Sequence, residues 1–236
     1  MRLSAYNAIV ALLLGAGLTA SAGTYSYTGS AYNIPDGNLA GAYSQISVSG
    51  ASSSFSDITV TLTVSGGYNG DLYAYLSHDG KLVPLLNRIG VSSGNAFGSS
   101  GAGLDNLTLS DIGSGNIHAA GNGVLSGTYR PDGHNLSPLS SAGSFNANGG
   151  SITLNDHRLG FGGSNPNGTW TLFFADVSAG GGQAAVNGWS LDITAVPEPV
   201  NVALGVFGVL FAGVTAARAC CSNPGARLSQ PQHTRT

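Results

Sequence analysis

Ten aspartates and no glutamate stand in residues 23–196, against only Lys81, Arg88, Arg130 and Arg158. That excess of carboxylate is the chemistry calcium uses, because the ion takes six to eight oxygen ligands from carboxylates and backbone carbonyls. Several of these aspartates stand beside Asn and Gly in turn sequences, where carbonyls can join them. Asp71, in Tyr68-Asn69-Gly70-Asp71-Leu72, and Asp176, just after Trp170–Ala175, are the first candidates for a calcium pair. The same two residues could instead cap turns through side-chain to backbone hydrogen bonds. A second kind of chemistry lies next to Asp71. Tyr73 and Tyr75 alternate with Leu72, Ala74 and Leu76, so they share the opposite face of a strand. On an open face they could stack on a polysaccharide; on a covered one they would belong to the core of a second sheet.

Nucleophilic catalysis needs a nucleophile, a base and an orienting acid. Gly90-Val91-Ser92-Ser93-Gly94 fits the Gly-x-Ser-x-Gly elbow. No helical pattern follows it, and in a chain with 37 glycines the match arises readily by chance. A serine hydrolase is therefore the remote alternative, and the expectation is a protein that is not an enzyme. His78, His118, His134 and His157 read as solvated loop residues; no two of them stand three to five apart, as zinc sites require.

The elements that must position these residues follow from composition and period. Only 8% of the 236 residues are charged, against roughly 25% in ordinary globular chains, and no basic track exists for nucleic acid. Helical periodicity is absent from residues 23–196, while period-two alternation recurs. Ile58, Val60, Leu62 and Val64 alternate with Thr59, Thr61 and Thr63. Similar runs are Ile46 and Val48; Leu72, Ala74 and Leu76; Leu107 and Leu109; Ile152 and Leu154; Trp170, Leu172 and Phe174; Trp189, Leu191 and Ile193. Many short strands with one wet face predict an all-β fold, an antiparallel β-sandwich of jelly-roll type. Residues 90–150 are rich in Gly, Ser and Asn, and are expected to hide short strands around Leu104–Ile112 and Gly123–Tyr129.

The ends carry addressing signals. Arg2, the apolar run Ala8–Leu18 and the small residues Ala20 and Ala22 predict a signal peptide over 1–22, cleaved after Ala22. Val200–Ala217 would extend about 27 Å as a helix, enough for one C-terminal transmembrane helix. Arg218, Arg227 and Arg235 then put residues 219–236 in the cytoplasm as a disordered tail. Cys220 and Cys221 lie past the span, so the exported body cannot be a disulfide scaffold. Just before the span stands Pro197-Glu198-Pro199, an extended segment that neither helix nor sheet can absorb. Pro197, Glu198 and Pro199, the apolar run and Arg218 together resemble the PEP-CTERM sorting signal over 196–218. That resemblance implies an exported protein of a Gram-negative bacterium, handled by the membrane peptidase exosortase. It departs from the family in its long tail after Arg218.

The body carries a second resemblance. Val60-x-Leu62-x-Val64, Tyr68-Asn69-Gly70-Asp71-Leu72, Gly168-Thr169-Trp170-Thr171-Leu172 with Asp176, and Gly188-Trp189-Ser190-Leu191 occur in that order. They look like the P domain (P/Homo B) of subtilisin-like proprotein convertases, over about residues 45–195 of a body spanning 23–195. The resemblance implies a jelly roll, without the protease domain that accompanies it in the convertases. Together the two resemblances imply a non-enzymatic surface or matrix protein at the cell envelope, linked to exopolysaccharide or biofilm. The alternative is a calcium-dependent carbohydrate-binding module.

Overall fold

The computed structural model describes residues 23–196 together with Phe207, Gly208 and Leu210. Its strands run β1 Thr24–Gly29, β2 Tyr32–Ile34, β3 Asn38–Val48, β4 Phe55–Ser65, β5 Leu72–His78, β6 Lys81–Asn87, β7 Leu104–Leu109, β8 Thr128–Tyr129, β9 Gly168–Asp176 and β10 Ala184–Ala195. Single 3-10 turns stand at Ile117–Ala119 and Ala142–Ser144. The strands form two sheets, one in the order β1-β10-β4-β7-β8 with β2 also on β10, the other β3-β9-β5-β6. Every pairing is antiparallel except that of β7 with β8. The two sheets share one hydrophobic core, so the body is an all-β antiparallel sandwich.

Alternation in sequence becomes alternation in burial. In β4, Ile58, Val60, Leu62 and Val64 are buried, while the intervening threonines are only partly covered and Thr61 meets Thr108 of β7 hydroxyl to hydroxyl at 3.1 Å. Each such aliphatic contributes about 1.5–3 kcal/mol on full burial. In β5, Leu72, Ala74 and Leu76 face the core and Tyr73 and Tyr75 face outward. Trp189 of β10 reaches across the core, its indole N–H donating to Ser44 Oγ of β3 at 3.1 Å. Gly29 lies opposite Trp189, and a Cβ there would overlap the indole.

β6 departs from the pattern because both its faces are covered: Val83 through Asn87 are all buried. Its edge is closed by the long middle segment, where the N–H groups of Asp132 and Gly133 donate to the carbonyls of Leu85 and Pro84, each at 3.0 Å. That middle segment is thus bound to the sandwich. It holds the expected short strands as β7 and β8, with a further bridge from Leu104 to Leu125.

Ile152 and Leu154 correct the strand expected there. Both are buried, yet neither is in a strand: the Ile152 N–H donates to the Gly133 carbonyl at 3.3 Å, and Leu154 begins a turn in which the Asp111 carboxylate accepts the N–H groups of Leu154 and Asn155 at 2.8 Å. Among the described residues, no helix is long and apolar enough to cross a membrane. Within the expected span 200–217 only Phe207, Gly208 and Leu210 are described, as helix. The rest of that span, the signal peptide over 1–22 with Ala20 and Ala22, the motif residues Pro197, Glu198, Pro199 and Arg218, and the tail 219–236 lie outside the described residues.

Candidate functional site

Asp71 and Asp176 meet at one end of the sandwich. Asp71 closes the β4–β5 turn, its N–H donating to the Tyr68 carbonyl at 2.9 Å, and Asp176 is the last residue of β9. The register of β5 on β9 sets Leu72 opposite Asp176, and the Val177 N–H donates to the Asp71 carbonyl at 2.9 Å. A third acid, Asp36 of the β2–β3 loop, joins them from the exposed side and accepts the Gly180 N–H at 3.3 Å.

Asp176 caps its own turn with one oxygen only. Oδ1 accepts the Ser178 N–H at 3.2 Å, while the buried Oδ2 has no hydrogen-bond partner. Burial, with smaller contributions from the negative charges of Asp71 and Asp36, pushes its pKa up to about 6. Asp71 is also raised, first by burial; Arg88 opposes that rise and Asp36 adds to it. Carboxylates in such surroundings stay charged at neutral pH only at a cost, which a cation would relieve.

The tyrosines lie on the outer face of the second sheet, half-buried rather than in the core. Tyr75 stacks on Phe173 of β9, with centroids 4.7 Å apart and planes 17° from parallel. Phe173 in turn pairs with Tyr43 of β3, which is 63% exposed. Tyr43, Phe173 and Tyr75 therefore make one cross-strand row, with Tyr73 beside it at 6.0 Å from Tyr75. An aromatic row of this kind offers flat apolar surface at small conformational cost.

Three histidines correct the expectation of solvated loop residues: His78, His118 and His134 are buried, while among the described histidines His157 alone is exposed. Loops without periodicity suggest solvent, yet the Gly-rich middle folds back over His118 and His134, and His78, the last residue of β5, lies against Asn165, Thr169 and Trp170. His118 Nδ1 lies 2.7 Å from Asp132 Oδ2, and His134 Nδ1 lies 2.6 Å from Asp132 Oδ1. His118 Nε2 faces the Val91 carbonyl at 2.8 Å. A carbonyl and a carboxylate only accept, so both His118 nitrogens donate and the ring is an imidazolium. His134 accepts the Asn146 N–H on Nε2 at 3.0 Å and donates through Nδ1.

Burial opposes the charge on His118, but the hydrogen bond and charge of Asp132 outweigh it and raise its pKa. Burial likewise opposes the charge on Asp132, and the two imidazoles hold its pKa below the usual carboxylate range. Phe145 closes the cluster, its ring parallel to His118 within 2° at 5.8 Å.

The three residues are of metal-ligating types, with one ligand atom from each lying within 4.8 Å of the others. Every ring nitrogen nevertheless has a protein partner, and the N···O distances are those of hydrogen bonds, so the cluster is complete as it stands. It is not a serine triad either. Ser92 lies beside Val91, but the nitrogen that would serve a serine is committed to the Val91 carbonyl, and Ser92 sits in a tight turn with Asn95. A shallow cavity of about 280 Å³ opens nearby, lined by Gly90, Asn95, Ser99 and Asn122 among others.

No protein-family model matches the chain, and no curated protein matches it. Among solved structures it is similar to a chain in the crystal structure of an Aeromonas sobria serine protease and chaperone complex. The identity is 14% and the TM-score 0.38, over 78% of this chain and 29% of that one.

Proposed function

We propose that the chain is an exported, non-enzymatic envelope protein that presents its sandwich to the extracellular matrix of a Gram-negative bacterium, where it serves exopolysaccharide or biofilm. The observation that carries this reading is the order of segments: an apolar leader ending in Ala20-Ser21-Ala22, the β body, then Pro197-Glu198-Pro199, an apolar run and Arg218. An exosortase-type peptidase is the partner this order implies, with the membrane holding the C-terminal helix before processing. The P-domain resemblance gives the finer description of the body, a jelly roll without the protease that accompanies it in the convertases.

The described body forms one compact unit whose last strand, β10, ends at Ala195, before Glu198 in the sequence. Glu198→Ala is therefore expected to block processing and sorting while leaving the melting temperature of the full chain unchanged. Fractionation and intact-mass analysis of the envelope protein check this; a variant processed and localised like the parent refutes the sorting assignment.

A calcium-dependent carbohydrate-binding module is the second reading, and the row Tyr43–Phe173–Tyr75 is what favours it. On a glycan array, the full chain should bind an extended polysaccharide, and Tyr43→Ala or Tyr75→Ala should weaken that binding about tenfold, equivalent to about 1.4 kcal/mol. Equal binding by parent and variants would leave the aromatic row as surface packing alone.

A further inference from the structure

We infer that Asp36, Asp71 and Asp176 form a divalent-cation site fitted to calcium, at the end of the sandwich where the β2–β3, β4–β5 and β9–β10 loops converge. The inference rests on the geometry of these loops and stands apart from the sorting and glycan readings above. Acids gathered at a loop end are commonplace and by themselves indicate nothing. What distinguishes this end is Asp176, fully buried with Oδ2 lacking any hydrogen-bond partner. Buried carboxylate oxygens are almost always satisfied, so an orphaned one is an open position for a water or an ion.

One protein base acts on this end, and it acts on Asp71 and not on Asp176. Gly67, at φ +63°, lies over the orphaned oxygen; a Cβ there would sit 3.6 Å from Oδ2 and 2.9 Å from the Ala184 methyl. The basic group acting on Asp71 is Arg88, whose Nε and Nη2 donate to the carbonyls of Gly70 and Ala96 at 3.3 and 3.2 Å. Asp176 receives no such help from a base.

Asp71 and Asp176 are the fixed ligands, held by the turn and by the β5–β9 register. Asp36 is exposed on a loop that continues through Gly37 and accepts the Gly180 N–H, a bond it would give up to reach an ion held by the other two. Hard carboxylate donors completed by loop carbonyls and water suit calcium, which accepts irregular coordination, better than magnesium, which demands a near-ideal octahedron.

The test uses the full chain purified in detergent at pH 7.5, stripped with chelator and then titrated with calcium or magnesium. Calcium at about 100 times its dissociation constant should raise the melting temperature by roughly 5–10 °C, and magnesium at equal concentration by less. Asp176→Asn should melt at or above the parent in chelator, since it removes an uncompensated buried charge, and should lose the calcium response. Asp36→Asn, at an exposed position, should leave the chelator melting curve unchanged and weaken calcium binding at least tenfold by calorimetry. Should Asp176→Asn not fold, the Asp36→Asn arm decides alone. Identical parent melting curves in calcium, magnesium and chelator, or an undiminished calcium response in Asp36→Asn or in a folded Asp176→Asn, would overturn the site.

Discussion

Replacing Asp132 with asparagine is expected to destabilise the protein by about 3–5 kcal/mol, the usual consequence of removing one partner from a buried ion pair. For a body of this size that corresponds to a fall in melting temperature of roughly 6–20 °C. The loss is large because asparagine offers one accepting oxygen where two imidazoles donate, so its NH2 must face one of the rings, and the His118 imidazolium would remain buried with no counter-charge. The pH dependence has a definite sign. Asp132 is depressed in the folded state, so its contribution is present above its unfolded value near pH 4 and fades as pH falls through the folded one. His118 is raised, so its contribution is complete below about pH 6.5 and fades as pH rises through the folded value. The gap between parent and Asp132→Asn should therefore be widest between about pH 4 and 6.5 and should narrow on either side. Denaturant unfolding at several pH values measures it. A gap under about 1 kcal/mol inside that window would mean that the cluster is held by the chain around it and not by its charge.

Trp170→Ala is the second change with a large expected effect, about 3–5 kcal/mol for emptying a fully buried aromatic site. The indole stacks on His78 at 4.0 Å, meets Phe161 edge-on at 4.8 Å, and donates to the Pro166 carbonyl at 2.8 Å. Trp170→Phe keeps a ring in the site and gives up the hydrogen bond, so it should cost about half as much, the sum of an orphaned carbonyl and a smaller ring. Thermal unfolding of the two variants against the parent separates these contributions. Near-equal costs would mean that the hydrogen bond to Pro166 outweighs the packing.

The strands that face water on one side are legible in the sequence, since their alternation is the burial pattern itself: β4, β5, β9 and the second half of β10 are marked by Ile58–Val64, Leu72–Leu76, Trp170–Phe174 and Trp189–Ile193. β6 is not, because Val83–Asn87 is covered on both faces and Pro84 reads as a break. β1 (Thr24–Gly29) and β2 (Tyr32–Ile34) carry no aliphatic alternation, and their strand character comes from pairing with β10.

The acidic end was partly legible, because Asp71 and Asp176 border recognisable strands, but Asp36 arrives through a loop whose path local patterns do not encode. Asp132-Gly133-His134 is a visible local pair. The signal fails at His118, fourteen residues earlier, which joins them only when the glycine-rich segment folds back. That return depends on close backbone approach: at Gly150 a Cβ would strike the backbone of Gly133 and His134. Glycines that look like slack in a sequence are here positions of contact.

The placing of β9 and β10 also has a consequence in time. β10 is an inner strand of its sheet, paired with β1, β2 and β4, and β9 is an inner strand of the other, paired with β3 and β5. A chain that emerges N-terminus first must therefore hold β1, β2 and β3 without their ladder partners until residues 168–195 arrive. Until then it has the β5–β6 hairpin and the β4–β7–β8 pairing to build on. Joining Thr24 to Thr194 closes nearly the whole body in one loop, so folding is governed by distant contacts and belongs to the slow regime of β proteins. During that interval the waiting strands expose edges able to pair with other chains, and the low charge of the body gives little repulsion to keep such chains apart.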